Sequence, residues 1–136
     1  MNEQPGDIIR IWLGSGHLGG AAPKYKFLIC VCDNDRRYLA INSDPRRASA
    51  GDDLQITQKD LGILTKPVSY VDCSRLVELL YADYADGMNK PESGPKGKIS
   101  DELKVRILKK VVASRGLTKI QKKIIFRSFG VPYPNP

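Results

Sequence analysis

The chain has 136 residues, of which 41% are hydrophobic and 27% charged, and it carries a formal net charge of +7. That length predicts one domain, residues 1–136, burying roughly two-thirds of the surface its unfolded chain exposes, and the composition excludes a disordered or fibrous protein. No apolar run approaches the ~18 residues of a membrane span, and Met1-Asn2-Glu3-Gln4-Pro5-Gly6 has neither a basic n-region nor an apolar h-region, so a cytoplasmic location is expected.

Asp7 to Leu13, rich in Ile and Trp, predicts a first strand that stops at Gly14-Ser15-Gly16. A loop of about ten residues follows, carrying Gly14, Gly16, Gly19, Gly20 and Pro23, and that length points to function or disorder. Tyr25 to Cys32 is a strongly apolar second strand, closed by the turn chemistry of Asp33-Asn34-Asp35, and Arg37 to Asn42 returns as a third. Ser43 to Asp53 is a polar surface loop. Leu54 to Thr57, Val68 to Cys73 and Leu76 to Tyr81 add three short strands, with a turn over Gln58 to Leu64. So many short strands in a body of residues 5–86 predict an α+β protein, mainly β, built as a small barrel or sandwich.

Residues 87–97, with three Gly and two Pro, read as a linker. Beyond it the apolar period becomes helical, giving two basic C-terminal helices within residues 98–130. Leu103, Ile107 and Val111, flanked by Leu108 and Val112, form the stripe of the first, with Ser100 as N-cap and Asp101 and Glu102 at the positive end of its dipole. Thr118 and Gln121 make a capping box for the second, whose Ile120, Ile124 and Ile125 are expected to face the protein and whose Lys119, Lys123 and Arg127 share another face. Charge divides along the same line. Residues 1–95 hold 11 basic and 13 acidic side chains, net −2, whereas residues 96–136 hold 11 basic and 2 acidic, net +9. A concentrated basic segment suits either a polyanion or acidic protein partner, or a solvated helical face.

Enzyme signatures are sparse. The glycines at 14–20 precede a strand rather than a helix N-terminus, so no phosphate-binding fingerprint exists. Cys30 and Cys32 lie two apart on a strand, but only Cys73 and His17 could complete a metal site. The favoured reading is buried thiols, with no metal and no cofactor. What remains surrounds the glycine loop: His17, Lys24, Tyr25 and Lys26, with Asn42, Ser43, Arg46 and Arg47 after the third strand. If the barrel brings these loops together, cations, an imidazole and a hydroxyl meet. Phosphodiester chemistry needs such a set: a cation for the phosphorane, a base for the 2′-hydroxyl, and an acid for the leaving 5′-oxygen.

The order of these pieces resembles the MazF/PemK-like family, the ribonuclease toxins of toxin-antitoxin systems. The residues that carry the likeness are Pro5-Gly6-Asp7-Ile8-Ile9, the glycine loop, Pro23-Lys24-Tyr25-Lys26-Phe27-Leu28-Ile29, Leu39-Ala40-Ile41-Asn42-Ser43 and Ser69-Tyr70-Val71-Asp72-Cys73. The resemblance spans most of residues 5–112. It implies an SH3-like β-barrel with a C-terminal helix, a homodimer, and metal-independent endoribonuclease action on single-stranded RNA by attack of the ribose 2′-hydroxyl. An antitoxin protein, expected to bear an acidic tail, would cover the RNA groove. The family's catalytic Arg falls on Lys24, with Tyr25 where the family has Pro, and Lys lacks the bidentate fork of Arg. The catalytic Thr or Ser falls on Ser43, or on Asn42 if the register slips by one. His17 is the candidate acid or base, while Tyr25, Lys26, Asn42, Arg46 and Arg47 are candidate substrate-binding residues. The alternative is a non-catalytic SH3-like module, an inactivated toxin that binds nucleic acid or an acidic protein.

Overall fold

Ile8, Ile29 and Leu39 alternate along their strands with Ile9, Leu28 and Tyr38, and both sets are buried. A strand with one wet face cannot do this, so the central sheet must be covered on both sides. The computed structural model, which describes residues 3–14, 16, 22–32, 34–44 and 51–134, shows how. The described elements are β1 (Asp7–Leu13), β2 (Lys24–Cys32), β3 (Arg37–Asn42), β4 (Asp53–Thr57), β5 (Val68–Asp72), β6 (Val77–Glu78), α1 (Tyr81–Met88), β7 (Gly94–Lys98), α2 (Asp101–Ala113) and α3 (Lys119–Ser128).

The fold is α+β and mainly antiparallel sheet. Strands run in the order β4-β5-β3-β2-β1-β7, with β6 also paired to β3. Among the described residues no pairing joins β4 to β7, so the ladder is open. One face packs on α2 and α3: Ile8, Ile29, Leu39, Ile41 and Val71 share a core with Leu103, Ile107 and Ile125. The other packs on α1: Ile9, Ile11, Leu28, Tyr38 and Val77 share a core with Tyr84. Three layers result, helix, sheet and helix pair.

The helix caps act as the sequence predicts. Ser100 Oγ accepts from Leu103 N–H at 3.1 Å. Thr118 Oγ1 accepts from Gln121 N–H, and Gln121 Oε1 accepts from Thr118 N–H, at 3.1 and 2.9 Å. Four expectations need correction. Residues 87–97 are not a free linker, because they hold the end of α1 and the start of β7, which pairs with β1. The strand expected from Leu76 to Tyr81 shrinks to β6, and Tyr81 opens α1 instead. Ile120 does not face the protein: it is 72% exposed, while Ile125 fills the core position. The two C-terminal helices are joined by a third, α1, on the opposite face.

Two glycines permit close approach. A Cβ on Gly87 would lie 2.4 Å from the Trp12 carbonyl oxygen, so only glycine lets α1 lie on β1 there. A Cβ on Gly116 would lie 2.2 Å from the Ser74 carbonyl oxygen, which fixes the α2–α3 turn against the segment after β5.

A candidate nucleic-acid cleft

β2 begins at Lys24, and its Phe27 is the first residue to pair with β3, opposite Ile41. At that end of the hairpin β5 joins the other side of β3, with Tyr70 opposite Asn42. The start of β2, the end of β3 and the entry to β5 thus converge. They bound an open cleft of about 250 Å³.

Five of the residues singled out from the sequence line it: Lys24, Tyr25, Lys26, Asn42 and Ser43. The loop before β5 contributes Thr65 and Lys66, and β5 itself contributes Ser69. Phe27, Ile41 and Leu64 supply the apolar part. Among the described residues three lysines and no carboxylate line the cleft, so it suits an anion; hydroxyls on Ser43, Thr65 and Ser69 suit hydrogen bonds to phosphate oxygens. The Lys26 ammonium donates to Asn42 Oδ1, which ties β2 to the end of β3. Lys24 and Ser43 are exposed, whereas Lys26 and Asn42 are half-buried. Strand alternation puts Lys24, Lys26 and Asn42 on the α1 side and Tyr25 and Phe27 on the α2–α3 side. The cleft therefore draws on both faces at the end of the sheet.

His17, Arg46 and Arg47 lie outside the described residues. Lys66 is absent from the sequence reading because nothing in a lone Lys-Pro pair before a strand marks it, and Ser69 enters that reading only as part of the motif Ser69–Cys73, without a site role. Only the neighbourhood of β5 and β3 brings them to the cleft.

The remaining chemical groups belong to the scaffold. Cys30 lies in the core under α1 and Cys73 in the core under α2 and α3, so the sheet separates them. Burial pushes the Cys73 thiol up to about 12, far from the thiolate a nucleophile or metal ligand requires. Tyr38 and Tyr84 donate to the two carboxylate oxygens of Glu3, at 2.9 and 2.6 Å, and burial drives both phenols upward. Among the described residues no group of three His, Cys, Asp or Glu is placed to hold a metal ion. None of the helices described is long and apolar enough to cross a membrane.

The chain matches no protein-family model, no curated protein and no solved structure.

Proposed function

We propose that the protein is a toxin-like endoribonuclease that binds single-stranded RNA in this cleft and cleaves it without a metal. One observation carries the reading: residues chosen from two separate stretches, 24–26 and 42–43, line one cleft together with Lys66. In this scheme Lys24, Lys26 and Lys66 neutralise the scissile phosphate and its neighbours, and Ser43 orients a phosphate oxygen. The ribose 2′-hydroxyl loses its proton to a base and attacks phosphorus. The 5′-oxygen then leaves with a proton, and a 2′,3′-cyclic phosphate remains. His17 is the group assigned to proton transfer. The SH3-like barrel, the homodimer and an acidic-tailed antitoxin belong to the same proposal through the resemblance to MazF/PemK-like toxins.

A second reading is favoured by one feature of the cleft: its described lining holds no imidazole or carboxylate to move a proton near neutral pH. On that reading the protein is a non-catalytic module that holds RNA.

Purified protein incubated with end-labelled single-stranded RNA in excess EDTA decides between them. Cleavage that leaves 2′,3′-cyclic phosphate ends, abolished in Lys24→Ala and in His17→Ala, supports the ribonuclease. Binding without cleavage selects the second reading, and neither binding nor cleavage sinks both. Expression in cells without a partner should arrest growth under the first reading alone.

A further inference from the structure

The register of β1 and β2 sets Trp12 opposite Tyr25 and Arg10 opposite Phe27. Residues opposite one another, or two apart on a strand, share a face. These four side chains therefore continue the α2–α3 face beyond Ile8 and Ile29, toward the cleft. The Trp12 and Tyr25 rings meet edge to face, with centroids 5.0 Å apart at 74°. The Arg10 guanidinium lies 4.7 Å over the Tyr25 ring and 5.9 Å from that of Phe27. All four are half-buried, and Tyr25 and Phe27 also line the lysine cleft, so cleft and aromatic strip are one surface.

A strip of rings interleaved with guanidinium, continuous with a lysine-lined groove, has the two parts that single strands require. The groove neutralises backbone phosphates, and the rings take unstacked bases. We propose that Trp12, oriented by Tyr25 and Arg10, is a base-stacking platform for the single-stranded RNA whose backbone lies in the cleft. The proposal rests on the RNA-binding reading above and adds a subsite to it. Glu92, in the turn between α1 and β7, guards the subsite. Its carboxylate lies 3.4 Å from Arg10, and its backbone N–H donates to the Tyr25 hydroxyl at 3.4 Å. The Glu92 side chain is 63% exposed, so a phosphate approaching Arg10 displaces it at little cost. Glu92 thereby lowers affinity for any strand that does not fill the platform.

Trp12 is the only tryptophan in the chain, which makes it its own probe. The full-length protein is titrated with a mixed-sequence ten-nucleotide strand carrying 2′-O-methyl riboses, which lacks the nucleophile for cleavage. Tryptophan emission and the anisotropy of a fluorescein-labelled copy are read together. The expected result is saturable quenching with the same midpoint as the anisotropy change. Trp12→Leu should weaken binding about tenfold, Trp12→Phe should restore most of it, and Glu92→Gln should tighten it severalfold. Anisotropy that reports binding while Trp12 emission stays constant overturns the platform and leaves the cleft reading standing. No anisotropy change overturns both. Quenching by polyglutamate rather than by the oligonucleotide overturns the platform in favour of an acidic protein partner.

Discussion

Asp52 is 5% exposed, and its carboxylate accepts from three donors of the α2–α3 turn, Arg115 N–H being shared by both oxygens. Ser114 Oγ donates at 3.2 Å, Arg115 N–H at 3.1 Å and Gly116 N–H at 3.0 Å. Ser114 Oγ in turn accepts from Leu117 N–H at 3.1 Å, so one carboxylate organises the whole turn against the edge of the sheet. Asp52→Ala leaves all three donors without their acceptor. A hydrogen bond to a charged group contributes about 1.5–3 kcal/mol, but Arg115 and Gly116 are exposed and water can replace part of the loss; about 3 kcal/mol in total is the expected cost. Urea unfolding followed by circular dichroism should show that drop with an unchanged m-value. Burial works to raise the Asp52 pKa, but the N–H groups of Arg115 and Gly116 and the Ser114 hydroxyl outweigh it, and the carboxyl sits below its usual range. A depressed folded pKa means the stabilisation is complete above the unfolded value of about 3.9 and is lost as pH falls through the folded one. The gap between wild type and Asp52→Ala should therefore be constant from pH 7 to 5 and shrink below about pH 4. A loss under about 1 kcal/mol at pH 7, or a gap indifferent to acid, refutes the assignment of Asp52 as the clamp.

Gly87→Ala forces a Cβ to within 2.4 Å of the Trp12 carbonyl and 2.7 Å of Ile11 Cγ1, so α1 must lift from β1; thermal unfolding should register a loss of about 1–3 kcal/mol. Cys30, Cys32 and Cys73 are all buried, and native protein should react with a thiol reagent such as dithionitrobenzoate only slowly at pH 8, while denatured protein releases three equivalents at once. Under the proposed function, Lys66→Ala should weaken RNA binding uniformly across sequences and reduce the slope of log K against log salt by about 1. Reversing Lys109, Lys119 and Lys123 to Glu should lower the association rate at low salt without moving the cleavage rate at saturation, as stopped-flow and single-turnover assays would show.

Much of the sheet is written in local side-chain chemistry. β1 and β3 have the bounds the sequence predicts, because Gly14 and Asn34-Asp35 punctuate apolar runs whose β-branched residues leave no competing helix. α1 was hidden by its ends. Tyr81, Tyr84 and Met88 have helical spacing, but Leu80 at the N-cap offers no side-chain acceptor, and Gly87 looks like a break when it is the contact point with β1. β7, Gly-Pro-Lys-Gly-Lys, has no apolar side chain but the Pro95 ring. It is a strand only because β1 offers an unpaired edge, where Pro95 is tolerated and Gly94 and Gly97 take positive φ. The same distinction runs through the candidate site. Lys24 to Lys26 and Asn42 to Ser43 flank one hairpin and could be paired by eye, whereas Lys66 and Ser69 arrive through the β5–β3 neighbourhood, which no local signal specifies.

The charge that dominates the sequence is not the charge that lines the cleft. α2 and α3 bury Leu103, Ile107, Val111 and Ile125 and leave Lys109, Lys119, Lys123 and Arg127 exposed, so the basic helices sit on the sheet through their apolar stripes. Lys122 is turned back on the helix pair, its ammonium donating to the Val112 carbonyl at 2.8 Å near the C-terminal end of α2, where the dipole favours a cation. Exposed lysines on a helix face act through the field, which is screened beyond about 10 Å at 0.1 M salt. Cleft lysines act by direct contact with phosphates, each contact releasing about one counterion. On the proposed reading the net +9 of residues 96–136 therefore gathers polyanions of any sequence, and the three lysines of a body with net −2 hold the backbone of the strand in the cleft. Raising salt should therefore slow association by screening the helices and weaken retention through the counterion cost at the cleft, and both losses should be alike for strands of any sequence.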